Sequence, residues 1–298
     1  MNRPAEADHE LPRERWTLSA PESLVLLWGP DTGDAWAVKV ALLELVVREA
    51  YRLRAQPRRR LLRGTTAIDI LIPALALDTS VGHPLRIVCD VAPAPTISIG
   101  GDTGIPARDV ARALLTRNFR RVRVRPWRRA WDSAGGGYVA ADVLPALAAR
   151  GLYTRDHTIW IGASERRQWV LSPAGVAALE ELRAMMATGR GAFPQWAAND
   201  PPRAVRYLDL AGPSLLLLGG LAPSLERLSR HAASGAGDDW PALGDLEAGL
   251  TALDALAGTL GPGPTDGLDA AFVAISADVD RAWDEVHRHD ALFGSSGE

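Results

Sequence analysis

Seven arginines crowd into thirteen positions, Arg117, Arg120, Arg121, Arg123, Arg125, Arg128 and Arg129, with Trp127 among them. A guanidinium group holds phosphate in a bidentate fork and stays charged at any physiological pH. Such a density of them points to a polyanion, either nucleic acid or an anionic membrane surface. Trp127 and Trp131, four apart beside the arginines, permit cation–π stacking. The other uses of the same residues are a solvated basic face or a partner for acidic residues elsewhere in the chain.

Other residue patterns offer less chemistry. Asp-Thr-Gly occurs at Asp31–Gly33 and at Asp102–Gly104. Two such triplets can pair aspartates that share one proton and activate water. Each should directly follow an apolar strand, but Gly29-Pro30 and Gly100-Gly101 precede them, so turns are expected. Ile97–Gly104 before Pro106 has the layout of a strand, a glycine loop and a helix, without a Gly-Lys-Ser/Thr or a full dinucleotide fingerprint. His287 and His289 lie near Asp284, Glu285 and Asp290, but two residues apart on a helix they point to different faces. No Gly-x-Ser-x-Gly elbow occurs, and Cys89 has no histidine near it in sequence. These patterns predict no metal, no cofactor and no recognisable catalytic constellation.

The elements that would hold the arginines can be read from periodicity. Residues 1–17 read as a flexible arm. A helix runs from Pro21 to Trp28 with Ser19 as its cap. Gly29–Gly33 is a turn, and a helix follows from Asp34 to about Ala55 on the spacing of Val38, Ala41, Leu42, Leu45 and Val46. Ala67–Leu77 reads as helical. Between Pro84 and Gly101, Leu85, Ile87, Val88, Val91, Ile97 and Ile99 sit among prolines and suggest short strands. Pro106 starts a helix to about Leu115. Val122 and Val124 alternate as in a strand. Tyr138–Arg150 reads as a helix in which Pro145 introduces a kink, with Gly151 as its C-cap. His157–Ile161 and Gln168–Leu171 read as a hairpin. Ser172-Pro173 opens a helix with Val176, Leu179, Leu182 and Met186 on one face. Leu210–Leu225 reads as a buried helix that breaks and restarts. The tail reads as two amphipathic helices, Asp238–Leu260 and Thr265–Phe293, split by Gly261–Pro264.

Charge is segregated along the 298 residues. Residues 54–129 hold fifteen Arg against five Asp, and residues 237–298 hold thirteen acids against Arg281 and Arg288, in a chain of net charge −3. This predicts that the acidic tail folds back on the basic half of its own chain or of a second subunit. One cysteine excludes an internal disulfide and fits a reducing compartment. The polar, acidic N-terminus lacks the apolar core of a secretory signal, and the longest apolar run is broken by Gly and Pro. A cytoplasmic protein without a transmembrane segment is expected, with a homo-oligomer left open.

Two family resemblances add to this. Arg150-Gly151-Leu152, the hairpin 157–171 and Leu171-Ser172-Pro173-Ala174-Gly175 resemble the second half of winged-helix regulators of the PadR and MarR kind, over about residues 137–188. The resemblance implies a recognition helix at 138–149, a β-wing and a long closing helix, with Arg155, Arg166 and Arg167 on the wing as phosphate contacts. The helix 138–149 is mostly Ala, Val and Leu, with Asp142 its only charge, which suits base reading poorly. The order of "LSAPESLVLL", "PWRRAW", "LAARGLYTR" and "NDPPR" is similar to the Golgi phosphoprotein 3 family. That likeness implies anionic lipid head groups as ligands, with Trp127, Arg128 and Arg129 as first candidates. Residues 56–105 and the acidic tail follow no pattern of that family.

The expected architecture is mainly α with short β-hairpins: a winged-helix module plus additional helices. The segments are an arm at 1–17, a helical module with short strands at 18–105, a winged-helix-containing domain at 106–236 and acidic helices at 237–298. The expected function is non-enzymatic binding or regulation. DNA-linked regulation, lipid head-group binding and scaffolding stay open within that class, and an enzyme without a recognisable motif is the rival class.

Overall fold

The computed structural model describes residues 11–12, 14–48, 50–59, 65–73, 83–92, 96–97, 103–116, 120–125, 128–132, 137–161, 164–218, 222–231 and 275–286. The described chain is mainly α, with short antiparallel hairpins.

Helix α1 (Ala20–Trp28) opens on Ser19, with Pro21 and Glu22 in its first turn. Glu22 reaches back to accept from the Ser19 backbone N–H at 2.9 Å and from its hydroxyl at 2.7 Å. Seven successive residues of α1, from Ala20 to Leu26, are buried. In α2 (Asp34–Val47) every residue from Ala37 to Val46 is buried, including Lys39 and Glu44. A helix that is closed on all sides lies at the centre of its fold. Here α1 packs along it.

The helix expected to reach Ala55 ends at Val47, and 51–59 is strand. Tyr51, Leu53 and Ala55 alternate with polar residues, a period of two that outweighs the helical run before it. Strand β1 (Tyr51–Arg59) pairs antiparallel with β2 (Thr65–Pro73), from Tyr51↔Pro73 to Arg59↔Thr65. The expected helix over Ala67–Leu77 is therefore incorrect for 67–73. Ile68, Ile70 and Ile72 alternate, and their β-branched side chains suit a strand. The reverse error occurs next. Pro84–Val91 forms helix α3 where short strands were expected. His83 caps it, its Nδ1 accepting from the Leu85 N–H at 3.2 Å, and Pro84 sits in its first turn. Strands β3 (Thr96–Ile97) and β4 (Thr103–Pro106) complete a sheet of order β1-β2-β4-β3. Ile99 lies outside the described residues.

Helix α4 (Ala107–Thr116) follows, then the two-stranded ladder of β5 (Arg120–Arg125) and β6 (Arg128–Asp132). The segment 138–150 begins as a π-turn at Val139–Val143 and continues as α5 (Leu144–Ala149). Pro145 has no N–H to donate and crowds the preceding turn, which widens there. Gly151, at φ 74°, closes α5. The hairpin β7 (Tyr153–Ile161) and β8 (Ser164–Leu171) is longer than expected, with a bulge between Asp156 and Ile159.

Ser172 caps α6 (Pro173–Gly191), its hydroxyl oxygen accepting from the Gly175 N–H at 2.9 Å. The apolar stripe of α6 differs from expectation at one end. Leu182, Met185 and Met186 are buried, while Val176 is exposed. Helices α7 (Phe193–Asn199) and α8 (Pro201–Ala211), a 3₁₀ turn (Gly212–Leu217) and α9 (Ala222–His231) follow, so the apolar run from Leu210 breaks and restarts as expected. Helix α10, residues 275–286, buries Ile275, Val279, Ala282 and Val286. One hydrophobic cluster runs from Trp16 to Val286. The expected helix Asp238–Leu260 lies outside the described residues.

Candidate functional site: an arginine ladder and a buried carboxylate cluster

The ladder of β5 and β6 gathers most of the basic residues singled out in the sequence. Arg120, Arg121, Arg123 and Arg125 are on β5, and Arg128 and Arg129 are on β6. Register sets Arg123 opposite Arg129, Arg125 opposite Arg128 and Arg121 opposite Trp131. Alternation puts positions 121, 123, 129 and 131 on one face of the ladder. Arg117 and Trp127 lie outside the described residues. Arg155, on β7, is exposed, and its guanidinium lies 4.6 Å from the centre of the Trp169 ring across the second ladder. Arg166 and Arg167 are on β8, with Arg166 opposite Ile159.

Two further arginines were missed in the sequence. Arg108 and Arg112 lie one helical turn apart on α4, directly before the ladder. Glu285 of α10 stands 3.3 Å from Arg108 and 3.4 Å from Arg112. On α2, Lys39 is 2.8 Å from Asp280 of α10 and 4.5 Å from the centre of the Trp36 ring. Trp36 meets Trp28 edge-on at 5.8 Å. The expectation that the acidic tail folds back on basic residues thus holds for 275–286. The spacing of Arg108 and Arg112 on a helix, with Glu285 on another, was the available signal.

The segment expected to act as a recognition helix is sealed. Val139, Asp142, Val143, Leu144 and Leu147 are buried. The π-turn and α5 pack against α1, the Tyr138 hydroxyl donates to the Pro84 carbonyl at 3.1 Å, and the Val139 N–H donates to Asp34 at 2.7 Å. Only Ala149 and Arg150 of this segment are exposed, and Arg150 turns back to Glu22, 3.1 Å away.

That contact belongs to a buried polar cluster that bears on the enzyme alternative. Glu44 accepts from the Ala20 N–H at 2.6 Å and from Arg48 at 2.8 Å. Burial pushes the Glu44 carboxyl up to about 7, against the opposing pull of Arg48. Burial also pulls His83 below its ordinary value; Arg150 and Arg48 act the same way and Glu22 opposes. These bonds go to helix starts: Glu22 to Ser19, Glu44 to Ala20, and His83 to Leu85. The cluster is architectural. Cys89 is likewise pushed up by burial, which keeps it a thiol. Among the described residues, no group of three or more His, Cys, Asp and Glu is placed to hold a metal ion, and no helix is long and apolar enough to cross a membrane. Asp31–Gly33 forms a turn, with the Thr32 hydroxyl donating to the Gly29 carbonyl at 2.7 Å. Asp102, His287, His289 and Asp290 lie outside the described residues.

The cluster makes stability depend on pH. Because Glu44 in the fold holds its proton up to about 7, above its ordinary 4.5, its contribution is full below about pH 4.5, falls as pH rises from there, and is gone above about 7. His83, pulled down, contributes the opposite slope: stability is present above its ordinary value and is lost as pH falls. Glu44→Gln removes the first slope and leaves the second. Between pH 4.5 and 7 the melting temperature of the wild type is expected to fall relative to that of Glu44→Gln, which lacks this loss, and above pH 7 the difference is expected to stay constant. Parallel profiles would refute the assignment.

No protein-family model matches the chain, and no curated protein or solved structure is significantly similar to it.

Proposed function

We propose that this chain is a non-enzymatic binding protein that takes up a polyanion on the β5–β6 arginine ladder, and that it also carries a winged-helix-like unit formed by the π-turn and α5, the hairpin β7–β8 and α6. The observation that carries this is the register of the ladder. Arg123 faces Arg129 and Arg125 faces Arg128, and like charges directly opposite destabilise a strand pair. A bound polyanion removes that repulsion. The buried recognition segment argues against reading bases, so contacts go to phosphate or to similar groups without sequence preference.

Retention on heparin and on phosphocellulose, then binding to duplex DNA and to anionic lipid vesicles, tests the proposal. Changing Arg120, Arg121, Arg128 and Arg129 together to Ala is expected to abolish retention at moderate salt. If DNA is the ligand, the four changes lower the slope of log affinity against log salt by about 3–4, since each lost phosphate contact accounts for about 0.9. Unrelated duplex sequences are expected to bind alike. Equal retention of the wild type and the fourfold variant would refute the proposal.

A further inference from the structure

We propose that α10 is an intramolecular mask on the basic surface, whose acidic residues occupy cations that a bound polyanion would otherwise reach. This rests on the polyanion reading above.

The helix has two faces with different roles. Ile275, Val279, Ala282 and Val286 recur at four, three and four residues and are all buried. They anchor the helix in the core cluster, beside α2 and α4. Around this stripe lie the acids. Glu285 sits on both Arg108 and Arg112, and Asp280 sits on Lys39. Asp109, on α4 itself, also holds Arg112 at 2.7 Å and approaches Arg108 at 4.0 Å. The two arginines are therefore shared between a permanent neighbour and one contributed from 177 residues away along the chain.

The three cations differ in accessibility. Lys39 is 7% exposed at its side chain, so Asp280 holds a charge that only departure of the helix would free. Arg108 and Arg112 are 37% and 42% exposed, and Glu285 is 40% exposed. Exposed ion pairs are weak and are screened by salt. An incoming row of phosphates can displace Glu285 from both arginines while the apolar stripe stays in place. The pair is close to the ladder in sequence, since α4 ends four residues before the ladder begins. Freeing Arg108 and Arg112 adds two cations to those that the ladder offers.

The test uses the full chain, with a duplex DNA of about 20 base pairs and anionic vesicles as probes, at several salt concentrations. Glu285→Gln keeps the size and exposure of the side chain and leaves the apolar stripe untouched. It is expected to bind about tenfold more tightly than the wild type near 0.1 M salt. For DNA, the slope of log affinity against log salt is expected to steepen by about 2, for two added contacts. In a chain that also carries Arg108→Ala and Arg112→Ala, Glu285→Gln is expected to give no gain. If Glu285→Gln binds as the wild type does while the fourfold arginine variant of the ladder loses binding, the mask is refuted and the polyanion reading stands. A gain that survives loss of Arg108 and Arg112 also refutes the mask, since it then reflects net charge alone. If neither the wild type nor Glu285→Gln binds either probe, both proposals fall.

Discussion

Glu44→Ala is expected to destabilise the protein by about 3 kcal/mol, a fall of roughly 5–10 °C in melting temperature. Glu44 is fully buried and ties two helices together. One carboxylate oxygen takes the Ala20 N–H at the start of α1, and the other takes Arg48 at the end of α2. Alanine removes both acceptors and leaves a gap beside α1. Arg48 is 30% exposed and can turn to solvent, so its loss counts for little. The Ala20 N–H is buried and has no such escape, and an unmet buried donor costs about 1–3 kcal/mol. The cavity supplies the rest. Glu44→Gln keeps an acceptor for Ala20 and is expected to lose less than half as much at neutral pH. If the two variants melt together, the bond to Ala20 is not what Glu44 contributes. Urea unfolding monitored by tryptophan fluorescence measures both.

Gly175→Ala is expected to cost about 2–3 kcal/mol. The start of α6 is pressed against the end of α5: the Ser172 N–H donates to the Leu152 carbonyl at 3.0 Å, and the Ser172 hydroxyl donates to the Gly151 carbonyl at 2.5 Å. A Cβ on Gly175 would run into that same Leu152 carbonyl and into the Leu171 side chain. Backbone on one side and a packed leucine on the other leave little room to yield. The penalty arises from close approach alone, since no left-handed backbone is required there. Val176→Ala, one residue on and exposed, is the control and is expected to change stability by less than about 0.5 kcal/mol. Equal denaturation midpoints for the two variants would show that the junction of α5 and α6 is looser than its geometry.

How far sequence led depended on how local each signal was. Ser19, Gly151 and Ser172-Pro173 act within one turn of themselves, so the starts of α1 and α6 and the end of α5 were legible. The hairpin was legible over 157–171, though not its start at Tyr153, because its strands flank a short connection. Residues 51–55 and 67–73 were misread as helix because a short run with apolar residues and no breaker inside it fits a helix as well as a strand. Which one forms is settled by the pairing of the two runs with each other. Pro84–Val91 was misread in the other direction, because prolines near short apolar runs suggest extended chain, while Pro84 in fact begins a helix. The basic cluster was visible as composition, but opposition of Arg123 to Arg129 is a matter of register. Glu22, three residues after Ser19, fits a capping box, but its burial and that of Glu44 gave no signal. Each looks like an ordinary polar position of an amphipathic helix, and only the packing of α1 along α2 buries them. The opposed charges pointed to a docked tail, without saying that Glu285 would meet Arg108 and Arg112.

The central position of α2 has a consequence for how the chain is made. Its surroundings come from both ends of the polypeptide: α1 immediately before it, and α10 more than 220 residues after it. On a ribosome, roughly 10–50 s separate the emergence of α2 from that of residues 275–286. Throughout that interval the apolar surface that α10 will cover, and the ammonium group of Lys39, have no partner from the C-terminus. Long-range closure of this kind slows folding. The nascent chain is therefore a natural client for chaperones, and a translation product halted before residue 275 should aggregate where the finished protein does not.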